Sequence, residues 1–128
     1  MPGFVTDIEQ KTLENENFRE VLFTAPHSQL VVMTLQPGEE IGLETHDDVD
    51  QFIRVEAGTG MAILDGEDKA LADGTAVVIP AGTEHNVVNT SPTEALKLYT
   101  IYSPPEHPEG TVHRTKAEAD KYEKEHHG

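Results

Sequence analysis

The sequence predicts an all-β domain, a sandwich or barrel of short antiparallel strands. Three observations lead there. Short apolar runs recur along the chain, separated by Gly, Pro, Asn and Asp turn signals at regular spacing. Several runs are rich in β-branched residues or alternate strictly between apolar and polar positions. No helical segment separates them, which removes a parallel sheet, because its strands need long crossover connections.

Taken in order, residues 1–20 form an N-terminal arm. It is polar, with Phe4, Val5, Ile8, Leu13 and Phe18 scattered through it, and reads as irregular structure with short strands along a barrel edge. Residues 20–24 (EVLFT) are a strand, and residues 25–28 (APHS) a turn whose His27 faces solvent. Residues 29–36 (QLVVMTLQ) are a strand that Pro37-Gly38 ends. Residues 41–46 follow as a strand. Side chains two apart share a face, so Glu44 and His46 point one way and Leu43 and Thr45 the other. After the acidic loop 47–50, residues 51–57 alternate, with Gln51, Ile53, Val55 and Ala57 inside and Phe52, Arg54 and Glu56 outside.

Gly58 and Gly60 mark a turn, residues 60–64 a strand, Asp65-Gly66 a hairpin and residues 69–71 a short return. Residues 76–79 form a strand that stops at Pro80, which cannot donate to a ladder. Gly82 permits the reversal, and His85 opens a second extended run. In residues 96–102, Leu96, Leu98, Thr100 and Tyr102 share one face, and Lys97, Tyr99 and Ile101 the other. A C-terminal extension, residues 103–128, begins Pro-rich and extended. Thr115 and Glu118 make a capping box for a helix over 116–125, the only strong helix in the sequence. Its apolar face is thin (Ala117, Ala119, Tyr122), and His126 and His127 belong to a mobile tail. No repeat or second domain interrupts residues 1–128.

Composition excludes several functions. The 128-residue chain has a formal net charge of -15, which repels phosphate backbones and argues against nucleic-acid partners. It contains no Cys, so disulfides, thiolate metal sites and cysteine nucleophiles are absent. No apolar run approaches the roughly 20 residues of a membrane span. The N-terminus lacks a basic region before an apolar one, and the expectation is a cytoplasmic protein.

Two stretches carry the chemistry. One reads Gly74-x5-Pro80-x-Gly82-x2-His85-x3-Asn89, the other Gly38-x5-Glu44-x-His46-x4-Gln51-x6-Gly58. Together they resemble the two signature motifs of the cupin superfamily. The second motif matches at every specified position. The first keeps its spacing and framing glycines, but has Glu44 where the family usually has His and Gln51 where it usually has Glu. The resemblance implies an antiparallel jelly-roll β-barrel of RmlC-like type with a short C-terminal helix, and a homodimer. It implies one divalent metal per chain at Glu44, His46, Gln51 and His85.

Two imidazoles, a carboxylate and an amide oxygen suit Fe, Mn, Co, Ni, Cu or Zn. Loss of one negative charge at Gln51 is offset by its gain at Glu44. The expected function is metal-dependent chemistry on a small oxygenated metabolite, of dioxygenase, isomerase or decarboxylase type. The alternatives are a non-catalytic metal or metabolite-binding module, and a metal-free sugar isomerase or epimerase-like barrel with His85 as base and Tyr99 or Tyr102 as acid. Tyr99, Tyr102, Arg54, Lys97, His107 and His113 are candidates for the mouth of the site, with Tyr102 and His113 named as catalytic candidates.

Overall fold

The computed structural model describes residues 2–126 and builds two antiparallel sheets around one core. After an N-terminal helix α1 (Ile8–Glu14), the strands are β1 (Arg19–Thr24), β2 (Gln29–Leu35), β3 (Asp50–Ala57), β4 (Gly60–Leu64), β5 (Glu67–Leu71), β6 (Ala76–Ile79), β7 (His85–Asn89), β8 (Leu96–Ser103) and β9 (Val112–His113). Helix α2 (Lys116–His126) follows. The larger sheet has the order β6-β3-β8-β2-β1-β9, the smaller β5-β4-β7. This is the expected jelly-roll arrangement, with one correction: hydrogen bonding leaves two separate sheets and does not close a barrel.

The inner faces meet in a single cluster. Met33, Ile53, Val55, Leu96 and Leu98 of the large sheet pack with Ala62, Leu71 and Val87 of the small one. The predicted alternation holds in β8, where Leu96, Leu98, Thr100 and Tyr102 are all buried. In β3 it holds through Val55. A register shift lies between Val55 and Ala57; there Ala57, expected inside, is half-exposed, and Glu56, expected outside, is buried while paired with Arg54 at 3.2 Å.

Three further expectations need correction. Residues 41–46 are not a strand. Only Glu40 and Glu44 form isolated bridges, to Val88 and His85, with Gly42 at φ 118° between them. Glu44 and His46 nevertheless share a side, because the bridge at Glu44 fixes the chain there. The N-terminal arm is not irregular with short strands. Asp7 caps α1 by accepting from Gln10 N at 3.0 Å, and Thr12, wholly buried, donates to Ile8 O. The cue was an Asp three residues before a Gln, a capping pattern. Helix 116–125 is therefore not the only helix. It extends to His126, whose ring lies on Tyr122, and it buries Ala119 while Ala117 is exposed. His127 lies outside the described residues. The capping box is shifted by one: Thr115 Oγ1 accepts from Glu118 N, and Glu118 Oε1 accepts from Arg114 N.

One glycine is fixed by space as well as by backbone angle. Gly58 has φ 92°, and a Cβ there would run into the Ala95 carbonyl oxygen. Gly58→Ala should destabilise by more than about 2 kcal/mol, combining the left-handed penalty with a backbone clash. Urea denaturation checks this, and a variant within about 0.5 kcal/mol of the parent contradicts it.

Candidate functional site

The site forms where two backbone loops are tied together. Pro80 to Thr83 make a turn closed by Thr83 N donating to Pro80 O at 3.1 Å, with Gly82 at φ 87°. Gly82 N then donates to His46 O at 2.7 Å, and Ala81 N to Asp50 Oδ1 at 2.8 Å. Glu44 and His85 exchange backbone hydrogen bonds of 2.9 Å in both directions. Positions distant in sequence are thereby held in register.

The side chains converge accordingly. One ligand atom each of Glu44, His46 and His85 lies within 4.8 Å of the other two. Glu44 Oε1 is 3.6 Å from His46 Nε2 and 3.9 Å from His85 Nε2. Donors bound to one ion at about 2.0–2.2 Å stand about 3–4.4 Å apart, so these separations fit a shared ion. His85 Nδ1 donates to Thr83 O at 2.9 Å, since a carbonyl only accepts. In the neutral ring this leaves Nε2 with its lone pair facing the site, the orienting contact typical of a metal-binding imidazole.

Gln51 has the same character. Its Nε2 bonds Thr100 Oγ1 at 3.0 Å, which turns Oε1 the other way. Gln51 Oε1, His46 Nε2 and His85 Nε2 are all buried and without a hydrogen-bond partner among the described residues. An unpaired buried polar atom costs about 1–3 kcal/mol, so three together call for a ligand. The residues present fit a divalent cation. They offer oxygen and imidazole donors, no sulfur, and one carboxylate.

Electrostatics support that fit. Burial alone would raise the Glu44 pKa, but His46, His85 and Arg19 outweigh it and hold the carboxyl below its ordinary value. The Glu44 carboxylate raises the His46 ring against burial, and Glu106 and Asp48 add to the rise. Glu106 Oε2 lies 3.6 Å from His46 Nδ1, so the ring stands between two carboxyl groups. Burial pushes the Glu106 carboxyl up. Its segment is clamped by buried Gln29, whose Oε1 accepts from Glu106 N and His107 N and whose Nε2 donates to His107 O.

The other candidates divide. Tyr102 is buried and stands edge-on to His46 and His107, with ring centroids 6.2 and 5.1 Å apart. Burial pushes its phenol well up, so Tyr102 keeps its proton. His113 is not among the three clustered ligands; its Nδ1 is 3.3 Å from Arg19 Nη1 and its ring lies against Tyr122. Three mouth candidates are displaced. Tyr99 packs on Phe52 on the outer face, Arg54 pairs with Glu56 at 3.2 Å, and Lys97 holds Asn15 O and Glu16. Tyr99 is thus unavailable as an acid near His85. Arg19 and Glu106 escaped the sequence reading. Arg19 was detectable as a charged residue in line with inward-facing Val21.

Burial pushes the His107 ring down to about 3, and the nearby charge of Arg19 adds to this. Between that value and the ordinary 6.5 the unfolded ring binds a proton that the folded ring does not. Stability from this residue is therefore full above 6.5 and falls as the pH drops towards 3. His107→Phe should remove up to about 1.4 kcal/mol per pH unit from the slope of metal-free stability between pH 6 and 4. Chemical denaturation of both proteins at several pH values reads this, and parallel slopes refute it.

Known proteins share this fold. An uncharacterised Bacillus subtilis protein, YrkC, is 50% identical over 123 residues, covering 91% of this chain and 65% of its own length. An uncharacterised protein of Acanthamoeba polyphaga mimivirus is 49% identical over 113 residues, covering 85% of this chain and 70% of its own. The chain thus spans about two thirds of the length of these curated relatives. A crystal structure from Bacillus halodurans superimposes with a TM-score of 0.90 at 46% identity, covering 94% of this chain and 95% of that one. No helix among the described residues is long and apolar enough to cross a membrane. Residues 31–102, from β2 to the end of the inward row of β8, match the cupin domain, and with both motif stretches inside that span the chain belongs to the cupin family.

Proposed function

We propose that this cupin binds one divalent transition metal through Glu44, His46 and His85, with Gln51 Oε1 as a fourth, weaker donor, and acts on a small oxygenated metabolite. The observation that carries the reading is the trio of buried, unpartnered atoms, His46 Nε2, His85 Nε2 and Gln51 Oε1, gathered around the Glu44 carboxylate. A bound divalent ion would supply Lewis-acid polarisation of a substrate oxygen and a template for its orientation. The protein supplies the rest. Thr83 O and Thr100 Oγ1 aim the donor atoms. Tyr102, protonated throughout the physiological range, serves as a hydrogen-bond donor to a bound oxygen. Glu106, its carboxyl pushed up by burial, is placed to hold a proton beside His46 Nδ1.

Elemental analysis of untagged protein tests the ligand set. About one equivalent of Fe, Mn, Co, Ni, Cu or Zn is expected in the parent and none in His46→Ala. Gln51→Ala should bind about 10-fold more weakly, consistent with a single weak neutral donor. A parent that takes up no metal after incubation with these ions sinks the reading.

We also propose a homodimer. Helix α1 covers only one end of the outer face of the large sheet, where Asn15 O accepts from Lys97 Nζ and Asn15 Nδ2 donates to Thr34. The other end carries a cross-strand apolar row, Val78–Phe52–Ile101–Leu30–Phe23. Val78 in that row is 65% exposed. A second copy related by a two-fold axis would cover it. Light scattering should find a dimer for the parent and dissociation at micromolar concentration for Val78→Glu. A monomeric parent contradicts the proposal.

A further inference from the structure

The wall of the site contains a buried arginine with work left undone. Arg19 is 5% exposed, and its Nε has no hydrogen-bond partner among the described residues. Its Nη1 meets a His113 ring nitrogen at 3.3 Å, and its guanidinium lies 5.3 Å from the Phe18 ring centroid. Neither contact offers the planar pair of acceptor oxygens that a guanidinium fork matches best. Arg19 lines a cavity of about 220 Å³ between α2 and residues 41–44. Glu44 lines the same cavity, which places the guanidinium and one of the proposed metal ligands on one space. Lys116 stands at its edge, 5.7 Å from the Phe18 ring centroid, with Nζ 2.6 Å from Asp120 Oδ1.

We propose that this cavity is the substrate site and that Arg19 binds the carboxylate of a small organic acid. The acid's second oxygen function, a hydroxyl or carbonyl, points to the Glu44 side of the proposed metal centre. This deepens the function proposed above, and rests on it only for the second anchor. Size suits a small ligand. At about 30 Å³ for each water-sized group, 220 Å³ holds about seven such groups, the scale of a two- to six-carbon acid. Charge limits it further. Asp120 and Glu123 also line the cavity, and a monoanionic carboxylate meets less repulsion from them than a doubly charged phosphate. Arg19 is a specificity-determining residue here. His113, bonded to Nη1, positions it.

Calorimetric titration tests the assignment, with acetate, lactate, pyruvate, malate, inorganic phosphate and the neutral lactamide as probes. Each is titrated into the full chain twice, metal-loaded and after chelation. Lactate, pyruvate or malate should bind with at least 10-fold greater affinity than lactamide or phosphate. Arg19→Gln should lose at least 10-fold of that affinity with unchanged metal content, and Arg19→Lys should recover part of it. Lys116→Glu, altered at the edge of the cavity, should lose severalfold, and gives the same reading should the Arg19 variants not fold. A metal-free parent that still binds these acids through Arg19 defeats the metal reading and leaves the carboxylate site standing. Acid binding unaffected by Arg19→Gln and Lys116→Glu overturns the proposal. So does tighter binding of phosphate, or no acid binding at millimolar concentration in either metal state.

Discussion

The site depends on one constraint, the tie between the 80–83 turn and the loop that carries His46. Gly82 N to His46 O at 2.7 Å and Ala81 N to Asp50 Oδ1 at 2.8 Å pin that loop from below. The paired bonds between Glu44 and His85 fix its other side. Without these ties residues 41–50 would be an irregular acidic connection between β2 and β3 of the large sheet. With them, Glu44, His46 and His85 present donors within 4.8 Å. Pro80 and Gly82 matter for what they permit in the backbone. One ends a strand, and the other reaches φ 87° so that its N–H can turn towards His46.

Much of this was legible in the chain, for a definite reason. Side-chain parity in a strand is strict, so placing Gln51 and Tyr102 on inward rows needed only the pattern of Ile53, Val55, Leu96 and Leu98 around them. The motif spacings located the ligand stretches. What escaped was whatever parity does not govern. Residues 41–46 share a side through two isolated bridges, so the right pairing of Glu44 with His46 came from a strand that does not exist. Helix α1 was missed because its apolar side is sparse and its stability comes from the Asp7 cap and from burial of Thr12 against the sheet. Glu56 is buried beside a register shift while paired with Arg54, which no local pattern announces. Glu106 reaches His46 only because Gln29, far away in sequence, clamps its backbone.

The departures from the usual cupin ligand pattern can be weighed through charge. Exchanging His for Glu at 44 and Glu for Gln at 51 leaves the formal charge of the four-residue set unchanged but moves it. The carboxylate now sits in the 41–44 loop, partly exposed, and borders the cavity that Arg19 also lines. The neutral amide takes the deeper position on β3, anchored by Thr100. A buried carboxylate at position 51 would need a cation at all times, because an isolated buried charge is far costlier than an isolated buried amide. Gln51 lowers that cost, and Glu44 finds partial compensation from His46, His85 and Arg19 even without an ion.

That redistribution changes what the cavity attracts. The surrounding protein is strongly acidic, with a net charge of -15, and its general field repels anions. Binding of the proposed anionic metabolite would therefore come from short-range groups: a divalent ion of which Glu44 would neutralise one charge, and the Arg19 guanidinium. Both would act over a few ångströms, where an ion pair outweighs a diffuse field screened beyond about 8–10 Å at physiological salt. The same screening would let an acidic shell coexist with the proposed anion-binding centre. The shell acts at long range, while Arg19 and the proposed ion would decide which ligand stays.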